Sequence, residues 1–427
     1  MPEKLWMERE DRKMKLPSRE VLEKIYGESE KSAKRYESLA EHFKELYHSD
    51  EMEFFTAPGR TEIVGNHTDH NGGKILAASI SMDTIGAAYP TGTDIITIVS
   101  EGYKGKVVID LRELEKVPKN KGTLSLVAGM VTAAKKSGFK VEGFHAYVST
   151  QVIAAAGVSS SASFEMLICS IINYFFNDQK MRCIDYARIG QFAENNYWDK
   201  ASGLMDQMAC AAGGTILLDF SKGDDELCQQ VDFSFSQIGY DLVIVNTGKG
   251  HADLSEEYSS VPLEMKEAAA AMGASLLCQR DMDTLLETLP KIDNDRAVLR
   301  AMHFYEENKR VDKAYEATRT NDAQSLLQAI SQSGRSSWEW LQNCYSIQNP
   351  KEQKITLTLA LTQLFLEKSG RGVCRVHGGG FAGVIACVLP KDETEAYVDY
   401  IGKYVGKENV YPMNTRLFGA GHVAKEL

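Results

Sequence analysis

A run of small residues, Ala154-Ala155-Ala156-Gly157-Val158-Ser159-Ser160-Ser161-Ala162-Ser163, leads directly into an apolar segment that ends near Phe176. A small-residue turn at a helix start leaves backbone N–H groups pointing outward, where the helix dipole also favours negative charge. The serine hydroxyls add donors and can ligate a cation. By mechanism this is a phosphate cradle, although a serine-rich N-cap reads the same way. The pattern G-x-x-x-x-G-K-[ST] occurs nowhere in the chain, which excludes a P-loop site. The apolar stretch from Met166 to Phe176 is too short to span a bilayer.

The 427 residues leave room for two ordinary domains or one large one. With 43% hydrophobic and 25% charged residues the balance is that of a globular protein. A formal charge of −11 argues against a nucleic-acid-binding surface, which is normally basic, but not against an anionic substrate held by local donors. None of the eight cysteines forms a C-x-x-C pair, so free thiols in a reducing compartment are expected rather than a disulfide framework or a zinc site. The segment from Glu3 to Arg12 is strongly charged and has no apolar signal core. A cytoplasmic monomer with no membrane or nucleic-acid partner is the expectation.

Periodicity predicts helix over 17–48, then short strands at Glu53–Thr56 and Thr61–Val64 joined by Ala57-Pro58-Gly59-Arg60. Strands and turns follow over 70–101. A helix is predicted at 124–137, a strand at Phe144–Ser149, helices at 183–197 and 204–211, and a strand at Thr215–Phe220. The polar stretch Ser221–Glu226 marks a domain boundary, dividing the chain into 1–223 and 224–427. Beyond it come a strand at Leu242–Val245, a helical block from 254 to 368 with breaks near Pro290, Gly334 and Pro350, strands at Val373–Val376 and Phe381–Leu389, and a helix over 392–405. Strands with segregated helical blocks indicate an α+β architecture in two domains.

Two further segments carry chemistry. Residues 57–73 read APGRTEIVGNHTDHNGG, a strand end followed by short polar side chains and glycines that can hydrogen-bond several sugar hydroxyls at once. A polar loop capped by glycines would look similar. His377-Gly378-Gly379-Gly380-Phe381-Ala382-Gly383 precedes an apolar strand; its glycines permit close approach of a ligand, or equally a tight bend in a sheet.

In this order and spacing the three segments resemble the signature motifs of the GHMP kinase superfamily, which includes galactokinase, homoserine kinase, mevalonate kinase and phosphomevalonate kinase. The run G-R-x-x-x-x-G-x-H-T-D-x-x-G-G looks like the galactokinase family signature. Ser202-Gly203-Leu204-Met205-Asp206-Gln207 is similar to that family's stretch around its catalytic aspartate. Asn246-Thr247-Gly248 with His251 and Ser255-Glu256-Glu257-Tyr258 resembles its sugar-side strand and loop. The likeness runs from about residue 50 to the C-terminus. It implies an N-terminal α/β domain of ribosomal S5-like type, a C-terminal ferredoxin-like α+β domain, and a site between them.

The resemblance also implies roles. Asp206 would be the acceptor or base at the sugar's anomeric hydroxyl, with Arg60 beside it, lowering its pKa and steadying charge on the phosphoryl group. Asn66, His67, Asp69, Gly203 and Tyr258 would contact the sugar. Gly157, Ser159, Ser160 and Ser161 would cradle the phosphates of ATP, and Ser161 with Glu194 would hold Mg²⁺. Gly379 and Gly380 would shape the site from the second domain.

The sequence departs from the pattern in a few places. Galactokinases usually carry Glu where this chain has Asn66, and plant galacturonate kinases also lack that glutamate; a neutral amide would tolerate a carboxylate at C6 at less electrostatic cost. A C6-modified aldose such as galacturonate is therefore an alternative to galactose. Ala155 replaces a glycine of the serine-rich loop, Ser202 stands where Cys is common, and the N-terminal helical block is longer than the family pattern. A non-catalytic sugar- and ATP-sensing regulator, as some fungal relatives are, is disfavoured by the complete serine run with Arg60 and Asp206. Mevalonate- and homoserine-type kinases lack the H-T-D segment.

Overall fold

The computed structural model describes residues 16–153, 157–198, 200, 202–248 and 254–424. Two sheets organise it. The first contains β1 (Glu53–Val64), β2 (Lys74–Pro90), β3 (Ile95–Ser100), β4 (Lys106–Asp110), β5 (Phe144–Thr150), β6 (Thr215–Asp219), β7 (Cys228–Val231) and β12 (Gly421–His422), in the order β12-β1-β2-β5-β3-β4 with the β6–β7 hairpin branching from β2. The second joins β8 (Tyr240–Asn246), β9 (Val373–His377), β10 (Val384–Pro390) and β11 (Val410–Met413) in the order β11-β8-β10-β9. All its pairs are antiparallel. Helices fall between β8 and β9 and between β10 and β11, giving the β-α-β-β-α-β order of a ferredoxin-like unit with an expanded first crossover. The expected division at 223/224 falls inside the β6–β7 hairpin, and the first sheet continues to Val231.

Strand alternation explains how the first sheet is covered on both faces. Phe55, Ala88, Ala146 and Val148 face a core built with α3 (Thr123–Lys136), α4 (Ser160–Phe176) and α5 (Cys183–Tyr197). Their neighbours Phe54, Ala87 and Tyr147 face α1 (Arg19–Tyr26) and α2 (Glu30–Tyr47). The N-terminal helices thus roof the opposite face. They are pinned by Asp83, fully buried, which accepts from Arg35 at 2.8 Å, Arg416 at 2.7 Å, Tyr26 at 2.7 Å and Thr56 at 2.6 Å. A buried carboxylate is tolerable only when paired in this way.

Several sequence expectations are corrected. The helix over 17–48 is two helices, because Gly27 takes a left-handed φ of 70° and caps the first. The two strands around Ala57–Arg60 are one twelve-residue strand, with irregularities at 58–60 and 62–64 that absorb Pro58. Gly334 does not break its helix, Ala323–Ser336, but lets that helix lie on β9: a Cβ there would come within 2.7 Å of Arg375 Cβ. Residues 381–383 precede β10 rather than begin it, with Phe381 at φ 58°. A third core, containing Ile63, Leu76 and Val158 from the first sheet's side and Ile244, Val311 and Val384 from the second, runs between the two halves. Among the described residues no helix is long and apolar enough to cross a membrane.

Candidate active site

β1 carries Arg60 to the seam between the sheets. Gly59 is required there, since a Cβ would stand 2.8 Å from Val158 O. The Arg60 backbone N–H donates to that same oxygen at 3.2 Å. The Arg60 side chain is buried; its Nε donates to Asp206 Oδ1 at 2.7 Å and its Nη1 donates to Gly157 O. Asp206 lies in the first turn of α6 (Met205–Ala212), where the helix dipole favours a carboxylate. Its other oxygen accepts from the Ser159 hydroxyl. Burial alone would raise this carboxyl, but the Arg60 charge and hydrogen bond, with help from Lys200 and Ser159, hold it down at about 2. Arg60 thus joins the serine-rich loop to the aspartate, and Ser159 turns to Asp206 rather than outward.

A cleft of about 180 Å³ opens beside this pair, lined by His67, Asp69, Gly203, Tyr258 and Gly379 among others. His67 adopts φ 60° and its Nε2 lies 2.9 Å from Gly379 O. Burial lowers its pKa to about 4, so the ring is neutral and Nε2–H donates. Asp69 passes so close to Gly203 that a Cβ there would fall 1.8 Å from Asp69 Oδ2. Tyr258 packs its ring on Gly379 and donates its hydroxyl to Gly380 O at 2.8 Å. The glycines of the third segment are therefore a surface for Tyr258 and for Asn343, whose carbonyl would meet a Gly380 Cβ at 2.1 Å.

Asn66 is 1% exposed and its amide is spent on the protein. Nδ2 donates to Gly378 O at 2.8 Å and to Glu62 Oε1 at 3.1 Å, and Oδ1 accepts from Asn343 at 2.8 Å and Ser337 at 3.4 Å. Glu62, which sequence reasoning missed, lines the same cleft with a carboxylate paired to Arg375 Nη2 at 2.6 Å. Its signal was available: side chains two apart on a strand share a face, and Arg60 was already assigned to the site.

A larger cavity of about 680 Å³ lies at the N-terminus of α4, lined by Ser160 and Ser161 at one end and by Ile98, Leu124, Phe164 and Trp198. Gly157 has φ 62°, and α4 begins at Ser160. Ser161 donates to Glu194 Oε1 at 2.8 Å, and Lys200 Nζ reaches the same oxygen at 2.6 Å. Ser202 and Gln207 donate to Glu194 Oε2. Glu165, fully buried behind them, has its carboxyl pushed well up by burial and by the Glu194 charge. Lys200 was not foreseen. Ala155 and His251 lie outside the described residues.

The profile described as the galactokinase galactose-binding signature matches residues 41–90, and that of the GHMP kinases N terminal domain matches residues 125–214. The chain is 28% identical to the galactokinase of Limosilactobacillus reuteri over 382 residues, covering 86% of this chain and 92% of that one. This is a galactokinase-like member of the GHMP kinase family. The kinase is similarly 28% identical to the galactokinase of Lactococcus lactis strain IL1403 over 392 residues, 88% of this chain and 92% of the other. The crystal structure of Lactococcus lactis galactokinase complexed with galactose matches it with a TM-score of 0.77 at 25% identity, covering 90% of this chain and 98% of that one. The mevalonate kinase of Methanococcus jannaschii shares the fold, at a TM-score of 0.59 and 16% identity over 86% of this chain and 99% of that one. The kinase is a phosphotransferase with an alcohol acceptor, and its family implies use of ATP.

Proposed function

We propose that the chain is an ATP-dependent sugar-1-kinase acting on galactose or a close relative. One observation carries this reading: an ionised Asp206, clamped by Arg60, stands where a sugar-sized cleft meets a cavity headed by a helix N-terminus. ATP would lie in the larger cavity, its base against Leu124, Phe164 and Trp198 and its phosphates at Ser160 and Ser161. His67, Asp69 and Tyr258 would orient the sugar, and Asp206 would receive the hydrogen bond of the attacking anomeric hydroxyl. With its carboxyl held at about 2, Asp206 is a weak base, which favours orienting the hydroxyl over early proton removal.

The donor set at Ser161 and Glu194 suits Mg²⁺, since Lys200 already brings a cation to within 2.6 Å of Glu194 Oε1 and 3.5 Å of Ser161 Oγ. Bound with ATP, Mg²⁺ neutralises phosphate charge.

For the sugar, the Glu62 carboxylate bears on the choice. Asn66 removes a negative charge at its own position, but Glu62, 3.1 Å from its amide, restores one in the same cleft. This favours a neutral hydroxymethyl sugar over a uronic acid, whose carboxylate would face Glu62. An ADP-release assay across aldoses and uronic acids tests the reading: galactose is expected to lead, with product phosphate at C1 by NMR. Turnover of galacturonate above galactose would overturn the choice of sugar, and no sugar-dependent ADP release would overturn the activity.

A further inference from the structure

Among the described residues lining the two cavities, Lys200 alone lines both. A phosphoryl group passing from the nucleotide to the sugar crosses this junction. Lys200 Nζ lies 2.6 Å from Glu194 Oε1 and 3.5 Å from Ser161 Oγ, and its side chain keeps 49% of its exposure while Glu194 keeps 1%. The two partners are therefore unequal. Glu194 stays fixed without the ammonium, because Ser161, Ser202 and Gln207 also donate to it. The ammonium, on a flexible four-carbon stem, is the member free to move.

The charges around it point the same way. Burial works against the Lys200 charge, but the carboxylates of Glu194 and Asp206 outweigh it, and the amine stays protonated. Arg60 is committed to Asp206 and to Gly157 O. Phosphoryl transfer depends chiefly on positioning and on positive charge at the equatorial oxygens. With Arg60 so engaged, Lys200 is the side chain at the junction left to supply positive charge beside any Mg²⁺ that Ser161 and Glu194 would hold.

We propose that Lys200 is a catalytic residue whose ammonium leaves Glu194 and contacts the non-bridging oxygens of the terminal phosphoryl group as it is transferred. In that step the bond from the terminal phosphorus to the bridging oxygen breaks and the bond to the sugar oxygen forms. ADP departs, the hydroxyl proton leaves by way of Asp206, and Lys200 keeps its protons throughout.

The inference rests on the sugar-kinase reading, and the experiment separates the two. Lys200→Met should lower kcat on the order of 10²-fold, with Lys200→Arg restoring part of it. The sugar KM should stay within about threefold of wild type. Independently of turnover, calorimetry without divalent cation should show Lys200→Met binding ATP about tenfold more weakly while ADP affinity is unchanged, because the contact is to the terminal phosphoryl group. Lys200→Gln repeats the measurement if the methionine variant fails to fold. Unaltered kcat, or equal losses for ATP and ADP, would overturn the proposal, as would unaltered kcat with saturation at lower Mg²⁺, which would make the ammonium a placeholder. If wild type itself turns over no sugar, the sugar-kinase reading fails, and the ATP-versus-ADP difference still decides for or against Lys200.

Discussion

Arg60 holds Asp206 by a 2.7 Å hydrogen bond from Nε to Oδ1, and the same guanidinium binds the carbonyl of Gly157 at the mouth of the phosphate loop. One side chain thereby ties the aspartate to the serine-rich loop, which on the sugar-kinase proposal fixes acceptor relative to donor. Such a tie preserves the in-line placement on which phosphoryl transfer depends. Asp206→Asn keeps the shape but loses the charge that binds Arg60. Its kcat should fall on the order of 10²–10³-fold with little change in sugar KM, measured by coupled ADP release.

A second expectation follows from the same pair. The Asp206 carboxyl is held at about 2, so it is ionised throughout the working range. The kcat/KM profile should show no acid limb from Asp206 between pH 5 and 8. In Arg60→Met the burial that opposes ionisation is offset only by Lys200 and Ser159, so the Asp206 pKa should rise and an acid limb should move up toward the working range.

Glu62 and Asn66 give a specificity test. Glu62→Gln neutralises the carboxylate facing the cleft, so the ratio of galactose to galacturonate turnover should fall on a substrate panel. It also leaves Arg375, 1% exposed, without its partner, which should cost about 3–5 kcal/mol in urea unfolding. An unchanged ratio would remove Glu62 from specificity while leaving its structural role.

How much of this was legible in the chain depended on distance along it. The serine-rich turn before α4, Asp206, Gly203 and His67 sit in short contiguous motifs, which is why the sequence could single them out as candidates. Asn66 was legible as a departure, but its surroundings were not: its partners Gly378, Asn343 and Ser337 are some 270 residues or more away, and they hold its buried amide in the wall of the cleft. Lys200 was hidden because a lysine between two helices usually means solvent. The N-terminal helices could be read from periodicity, but not their purpose, because Asp83 and Arg416 are supplied from elsewhere. Bulges in β1 were misread as a loop since Pro and Gly signal turns more often than irregular strands.

The Asp83 node predicts a purely structural defect. Asp83→Asn leaves Arg35 and the buried Arg416 without a counter-charge and should destabilise the protein by about 3–5 kcal/mol. Tyr26→Phe removes one hydrogen bond to the same carboxylate and should cost about 1.5–3 kcal/mol. Both variants should retain near-wild-type KM for ATP and sugar at a temperature where they are folded, because the node faces the N-terminal helices and not the cleft.

The last prediction concerns acid. Burial lowers the pKa of His67 to about 4, against an ordinary value of about 6.5 in the unfolded chain. Between these values the unfolded state binds the proton and the folded state does not, so stability rises with pH across that window and is lost as pH falls through it. At pH 5 the loss from His67 alone is about 2 kcal/mol. His303 and His377 are depressed for the same reason and act in the same direction, whereas Glu62 and Glu165, raised by burial, act against them. A single wild-type titration would mix these contributions; a variant isolates one. His67→Gln keeps an amide donor for Gly379 O and cannot titrate, so its loss of stability from pH 7 to pH 5 should be smaller than wild type by about 2 kcal/mol in paired urea melts. Parallel curves for the two proteins would mean that His67 takes up its proton in the folded state, and the hydrogen bond from its ring to the third glycine segment would then be made by a charged imidazole.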